Sequence, residues 1–309
     1  MSADDTGAAS EQVVTLPHGS RICYRLDGPA DGEPLVLIAG LSLDLRSWPE
    51  PMVDRLVDAG FRVVRLDNRD VGRSSAGNGK PPGNARILFK RPRQDAYTLA
   101  DMADDVLALL DHLEIGAAHL VGMSMGGMIA QTLAARHPAR VVTLTSIFST
   151  TGNVKVGQPA LSTWVRMARR PPRTVDEAVA AHLTMLRHIG STVFAPDEAV
   201  ERNLAAVAWI RGAGPRAQAG IARQIGAIQA SGDRSAEISA ILAPTLVIHG
   251  DTDPMVHPSG GRATAAAVPG ARHIEIPGMR HHLAPGVLDR LARLITDHAR
   301  VTRSAGDPV

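Results

Sequence analysis

His119-Leu120-Val121-Gly122-Met123-Ser124-Met125-Gly126-Gly127-Met128 is the stretch on which the fold turns. Residues 119–121 read as the end of a buried strand, and residues 128–136 carry a helix-type pattern. Between them lies G-x-S-x-G, from Gly122 to Gly126. A serine on so tight a strand-to-helix turn is pushed beyond the sheet edge into a cleft. The flanking glycines are needed because a Cβ there would collide with the neighbouring strand or helix. The start of the following helix also favours negative charge developing beside the serine. A nucleotide-binding loop fits less well. The glycines at 122, 126 and 127 do not make G-x-G-x-x-G, and no Walker-type Gly-Lys-Ser/Thr occurs.

Outward from this turn, short strand-type runs alternate with longer amphipathic stretches. Residues 13–16 and 22–25 form an opening hairpin around His18-Gly19-Ser20. Residues 35–39, 63–67, 119–122, 141–147, 245–250 and 273–276 read as buried strands. Residues 49–59 and 98–113 have helical spacing, and Thr98 with Asp101 makes a capping-box-like start. Such alternation predicts an α/β fold whose mostly parallel eight-stranded sheet is covered on both faces. The rhythm breaks at residues 150–240, which show helical patterns but no strand. They read as a helical cap inserted into a core made of 11–149 and 241–302. Residues 76–95, rich in Gly, Pro and Arg, read as a mobile loop.

A serine hydroxyl needs a base, and the base an orienting acid. The acid is expected after a later strand, where Asp251-Thr252-Asp253-Pro254 follows residues 245–250. Asp251 adjoins the strand end and suits a turn-forming role; Asp253 lies further out, before a proline that stiffens the turn. The base is expected later still, where His281 and His282 follow the last strand, giving the chain order Ser, Asp, His. Two backbone N–H groups, those of Leu41 and Met125, are placed to form an oxyanion hole. Leu41 follows Gly40 at a strand end; Met125 follows the serine. Asp67-Asn68-Arg69-Asp70-Val71-Gly72-Arg73-Ser74 reads as a structural turn whose charges tie loops together near the site.

Bulk properties narrow the alternatives. Hydrophobic residues make up 44% and charged residues 21%, and 33 Lys+Arg against 31 Asp+Glu leave a net charge of +2. That balance argues against a nucleic-acid groove and a polybasic membrane surface. With Cys23 alone, no intrachain disulfide forms and a cysteine metal site is disfavoured, which fits a cytoplasmic setting. The first residues lack the pattern of a signal peptide, and no apolar run reaches the roughly 20 residues that span a bilayer. Oligomeric state stays open.

The ordered set Ala39-Gly40-Leu41, Asp67 to Ser74, Gly122 to Gly126, Gly250 to Asp253 and Gly278 to His281 resembles the α/β-hydrolase superfamily across nearly the whole chain. The branch it is most similar to is that of the aclacinomycin methylesterases, with cofactor-free haloperoxidases and perhydrolases as neighbours. The resemblance implies a carboxylic ester hydrolase acting on a small-molecule ester or thioester, with Ser124 as nucleophile, His281 as base, Asp253 as orienting acid, and no cofactor or metal. It also implies alternatives on the same serine, namely perhydrolase, haloperoxidase or acyltransferase activity, and, outside catalysis, small-ligand binding. Epoxide hydrolase and dehalogenase relatives carry Asp where Ser124 stands. Ala39 replaces the usual His before the oxyanion glycine, and Asp70 the usual Gly of the D-x-R-G turn, both as in the methylesterase branch. Ser42 stands where perhydrolases tend to carry Pro. Arg280, beside the base, is open to binding a carboxylate, tuning the histidine or simple solvation, the last being favoured; Arg166, Arg169, Arg170 and Arg173 in the cap read as a solvated helix face ahead of a site for an anionic substrate. Trp164, Trp209, Met167 and Met185 read as packing residues of the cap or lining of an acyl pocket.

Overall fold

β-branched and leucine-rich runs flanked by Gly, Pro and Asp give the strands, and the stretches between them bury one apolar stripe each as helices. The computed structural model describes residues 10–214 and 217–300. Residues 301 and 302, assigned to the core by the sequence pattern, lie outside them. The strands are β1 (Gln12–Thr15), β2 (Arg21–Asp27), β3 (Glu33–Ile38), β4 (Phe61–Leu66), β5 (Ala118–Met123), β6 (Val141–Ile147), β7 (Thr245–Gly250) and β8 (Arg272–Ile276). The helices are α1 (Glu50–Asp58), α2 (Asn84–Leu88), α3 (Leu99–His112), α4 (Met125–Arg136), α5 (Leu161–Met167), α6 (Val175–Ile189), α7 (Glu198–Ala208), α8 (Ala217–Ser231), α9 (Ser235–Ile238), α10 (Ser259–Ala267) and α11 (Pro285–Arg300).

The strands form one eight-stranded sheet in the order β1-β2-β4-β3-β5-β6-β7-β8. β1 and β2 pair antiparallel with each other, as do β2 and β4; the remaining pairs are parallel. This is the mostly parallel, two-faced sheet expected, with strand bounds displaced by one or two residues. Apolar side chains fill both faces. Met102, Val106 and Leu109 of α3 and Ile129 and Leu133 of α4 belong to one cluster, and Met52, Leu56, Leu288, Leu291 and Ile295 of α1 and α11 to the other. Thr98 and Asp101 make the capping box of α3 in full, each side chain accepting the other's backbone N–H.

After β3 the chain first builds β4 on one side, then returns to place β5 on the other. Such a reversal opens a crevice beyond the carboxyl ends of the two strands, the usual ligand position in open α/β sheets. Ile38 pairs with Gly122 there, so the loops starting at Ala39 and Ser124 leave the sheet side by side. Residues 150–240, between β6 and β7, carry α5 to α9 and, among the described residues, no strand.

One sequence expectation needs correcting. Residues 76–95, expected as a mobile loop, are not loop throughout, because Gly83 precedes a short helix, α2, held by a hydrogen bond from Gln229 Nε2 to the Ile87 carbonyl (2.9 Å).

Candidate active site

Ser124 sits at φ 54°, ψ −121°, in the left-handed half of backbone space. For a residue with a Cβ this costs about 1–3 kcal/mol and persists only where the surroundings enforce it. Here they do. The Ser124 N–H donates to the Ile147 carbonyl (2.9 Å), and its own carbonyl accepts from Gly127 N–H (3.0 Å) and Ser149 Oγ (2.7 Å). The glycines permit the close approach. A Cβ on Gly122 would lie 2.2 Å from the Gly126 carbonyl oxygen, and one on Gly126 would lie 2.0 Å from that of Ile38.

His281 Nε2 accepts from the Ser124 hydroxyl at 3.0 Å, and Nδ1 donates to Asp253 Oδ2 at 2.6 Å. The His281 backbone N–H donates to the Ile189 carbonyl at the end of α6 (3.0 Å), and its ring packs on Phe148 with centroids 4.4 Å apart. Asp253 is buried. Its Oδ1 accepts from the Met255 and Val256 N–H groups (2.7 and 3.0 Å), which fixes the carboxylate plane. Burial opposes ionisation of Asp253, but His281 and His249 outweigh it and hold the carboxyl well below the usual carboxylate range. Asp251, the competing aspartate, points elsewhere and accepts from the Gly278 N–H (2.9 Å). His282 also turns away from Ser124.

On the opposite side, Gly40 abuts the nucleophile candidate, since a Cβ there would lie 3.2 Å from Ser124 Cβ. Among the described residues, neither the Leu41 nor the Met125 N–H donates to a protein acceptor. Two contacts fix this loop: Asn68 Nδ2 donates to the Ala39 carbonyl (3.0 Å), and Ser42 N–H donates to Gln224 Oε1 (2.9 Å). Gln224 comes from α8, so an inserted helix shapes the wall carrying Leu41.

Further residues about the site escape a reading of the sequence. His249, four positions before Asp253, donates from Nε2 to the Val256 carbonyl (2.8 Å) and lies 3.5 Å from Asp253 Oδ2. Its position at a strand end beside an aspartate was the available signal. Arg280 is not a solvated side chain. It is half-buried and donates to the Thr252 and Gly190 carbonyls (3.1 and 3.3 Å), bracing the loops that carry Asp253 and His281. Cys23 is buried, and burial pushes its thiol up to about 12, so it offers no competing nucleophile. Trp164 is 37% exposed, and Trp209, Met167 and Met185 are half-buried, so none belongs to a closed core. Among the described residues no cluster of three His, Cys, Asp or Glu is placed to hold a metal ion.

Ionic contacts lock the inserted helices onto this frame, among them the pair of Arg223 of α8 with Asp70 and two larger clusters. Arg211 reaches from the segment after α7 to Asp44 Oδ2 (2.6 Å), Asp67 Oδ2 (3.1 Å) and Glu11 Oε2 (2.9 Å). Asp67 also takes the Leu45 and Arg73 N–H groups (2.8 Å each), which is the loop-tying role expected of its turn. Burial keeps the Asp67 carboxyl above its usual pKa even beside Arg211. Arg211→Met should therefore strand two buried carboxylates and lower stability by about 3–5 kcal/mol, read as a drop in the urea midpoint with little change in slope.

The second cluster is Glu201 of α7, which accepts from His182 Nε2 of α6 (2.7 Å) and His282 Nε2 (2.8 Å). Burial opposes its ionisation, yet the two histidines bring its pKa from 4.5 down to about 2. A depressed carboxylate stabilises the fold above its unfolded pKa, and the contribution fades as pH falls towards the folded value. Glu201→Gln should thus cost on the order of 3 kcal/mol at pH 6. By pH 3 the gap to wild type should shrink to about half, as urea titrations at the two pH values would show.

The α/β hydrolase fold family profile matches residues 33–284. Rhodomycin D methylesterase DnrP of Streptomyces peucetius is 34% identical over 296 residues, covering 89% of this chain and 93% of its own. Rhodomycin D methylesterase DauP of Streptomyces sp. (strain C5) is 33% identical over 293 residues, covering 88% and 92%. Among solved structures, the enol-lactonase from Burkholderia xenovorans LB400 superposes with a TM-score of 0.71 at 27% identity, covering 93% of this chain and 99% of its own. With the sheet order, the serine turn and this match over most of its length, the chain belongs to the α/β-hydrolase fold family.

Proposed function

We propose that this chain hydrolyses carboxylic esters through an acyl-enzyme on Ser124. The observation that carries the reading is the unbroken chain from Ser124 Oγ to His281 Nε2 (3.0 Å) and from His281 Nδ1 to Asp253 (2.6 Å); the Leu41 and Met125 N–H groups, without an acceptor among the described residues, support it. In the first half-reaction, Ser124 Oγ attacks the ester carbonyl carbon while its proton passes to His281 Nε2. Negative charge moves onto the carbonyl oxygen, where the Leu41 and Met125 N–H groups receive it, each such donor being worth about 3–4 kcal/mol in the transition state. The C–O bond to the alcohol then breaks, and that alcohol leaves with the proton from His281. In the second half-reaction His281 takes a proton from water, hydroxide adds to the acyl carbon, and the C–Oγ bond breaks as His281 returns that proton to Ser124 Oγ and the acid forms.

Similarity to two methylesterases supports a small alcohol and a larger acyl part, that is, the methyl ester of a bulky acid. Hydrolysis of paired methyl and p-nitrophenyl esters of small and polycyclic acids tests this, with mass spectrometry locating an organophosphonate adduct. Turnover with the adduct on Ser124 is expected. A folded protein that turns over no ester, or an adduct on another residue, would overturn the reading.

A further inference from the structure

The net charge of +2 conceals an uneven distribution. Residues 71–94 contain Lys80, Arg86, Lys90, Arg91 and Arg93 besides Arg73, and no acidic residue. Residues 152–175 contain Lys155, Arg166, Arg169, Arg170 and Arg173, again with none. Setting aside Arg73, these ten side chains leave the rest of the chain at 23 basic against 31 acidic residues, a net −8.

The fold brings the two segments together. Lys90 Nζ, just after α2, donates to Gln158 Oε1 (3.1 Å), and Gln158 in turn donates to the Val156 carbonyl (3.1 Å). Three residues on, α5 begins. Among the described residues, Arg93 is the sole member of these ten in an ion pair, with Asp95 (2.7 Å). Interleaved with the charges are large apolar side chains turned to solvent: Leu161 is 81% exposed, Leu88 73% and Phe89 69%, with Val154, Val165 and Trp164 beside them. An open cavity of about 560 Å³, lined by Arg86, Pro92, Arg93, Gln94 and Asp95, lies within the same face.

A solvated helix face accounts for the arginines but not for six exposed apolar residues among them. Apolar side chains of this size gain little from water and much from an acyl-chain boundary, while unpaired cations beside them suit phosphate headgroups. A nucleic acid would use the charges and the two aromatics but leave Leu88, Leu161 and the valines without partners. We infer that the α2–α5 face is an interfacial docking surface for an anionic lipid bilayer. It joins the candidate site directly: Thr163 Oγ1 of α5 and the Ala160 N–H just before it both donate to the Pro254 carbonyl (2.7 and 2.9 Å), the residue after Asp253. A bilayer at this face delivers membrane-dissolved apolar molecules to the rim of the serine cleft. The inference concerns binding and stands apart from the proposed ester chemistry.

The test is co-sedimentation of the full chain with vesicles of phosphatidylcholine alone and with one third phosphatidylglycerol, at 0.1 M salt. Ser124→Ala is expected to bind as wild type does, separating docking from turnover. Binding is expected to the anionic vesicles and not to neutral ones. Leu88→Ser with Phe89→Ser should weaken partitioning about 100-fold. Arg169→Gln with Arg170→Gln should weaken it about 20-fold, with Arg272→Gln, on the exposed end of β8, as an unaffected control. All these positions are exposed, so melting curves should coincide with that of wild type. No binding to anionic vesicles overturns the inference. So does binding to a single-stranded RNA that competes with the vesicles and ignores the loss of Leu88 and Phe89.

Discussion

Ser124→Ala is expected to lower kcat for ester hydrolysis by about 10⁶-fold while leaving the sheet intact. The large factor follows from the geometry. Removing Oγ eliminates both the bond-forming atom and the proton that His281 is positioned to take, and among the described residues no second nucleophile adjoins that imidazole. What survives is stabilisation by the Leu41 and Met125 N–H groups acting on attacking water, enough for about 10³–10⁴ over the uncatalysed rate. Stability should change by less than about 1 kcal/mol, because alanine occupies the same positive φ with a Cβ of its own. Ser124→Gly separates the two effects. It should be equally inactive, yet at least as stable, since glycine enters that conformation without strain. Purified Ser124→Ala retaining even a hundredth of wild-type kcat would remove Ser124 from the mechanism.

Asp253→Asn should lower kcat/KM by about 10⁴-fold, more than its modest change in shape suggests. Asp253 Oδ1 is held by two backbone N–H groups, so an asparagine keeps its carbonyl oxygen there and aims its NH₂ at His281. His281 Nδ1 must then accept instead of donate, which moves the ring proton to Nε2, facing Ser124. A ring in that tautomer cannot take the serine proton. The expected signature is loss of turnover with ester affinity kept, together with phosphonate labelling of Ser124 slowed in parallel. Asp251→Asn is the matched control. Its Oδ1 serves only as an acceptor for the Gly278 and Thr252 donors, and activity should stay within a few-fold. Equal losses from the two variants would argue that the loop, not a particular carboxylate, is what matters.

The strand-turn-helix around Ser124 was legible because its glycines answer to contacts a few residues away along one turn. Chain order then brought His281 and Asp253 into question, though the choice of Asp253 over Asp251 rested on resemblance. In the structure the two differ in their contacts: Asp253 accepts from two backbone N–H groups and from His281, while Asp251 accepts from the Gly278 N–H. The strands and long helices were legible from their periodicity, but α2 was not, because five residues give no period to detect. Least legible were the contacts made by the inserted helices. Arg211 meets Asp44 across 167 positions of sequence, and Gln224 meets Ser42 across 182. Amphipathic spacing says that such segments are helical and is silent about where they land. The role of Arg280 is illegible for a related reason: its partners are backbone carbonyls, which leave no mark on composition.

The excursion between β6 and β7 starts and finishes at nearly one point. Arg234 N–H donates to the Thr151 carbonyl (2.9 Å), and a Cβ on Gly152 would touch the Gly232 carbonyl oxygen. Because β6 and β7 are adjacent parallel strands, neither needs this stretch to find the other. In genetic terms, the two ends of the region meet where a cassette would have its single splice point. A foreign helical segment of different length could be ligated between residues 151 and 234 without shifting the register of any strand pair. The contacts that a graft must respect include an acceptor for the Ser42 N–H, a cation for Asp44 and Asp67, a carboxylate for His282 and a carbonyl for the His281 N–H. An exchange of the whole segment at that point would leave the strand pairs on either side in register.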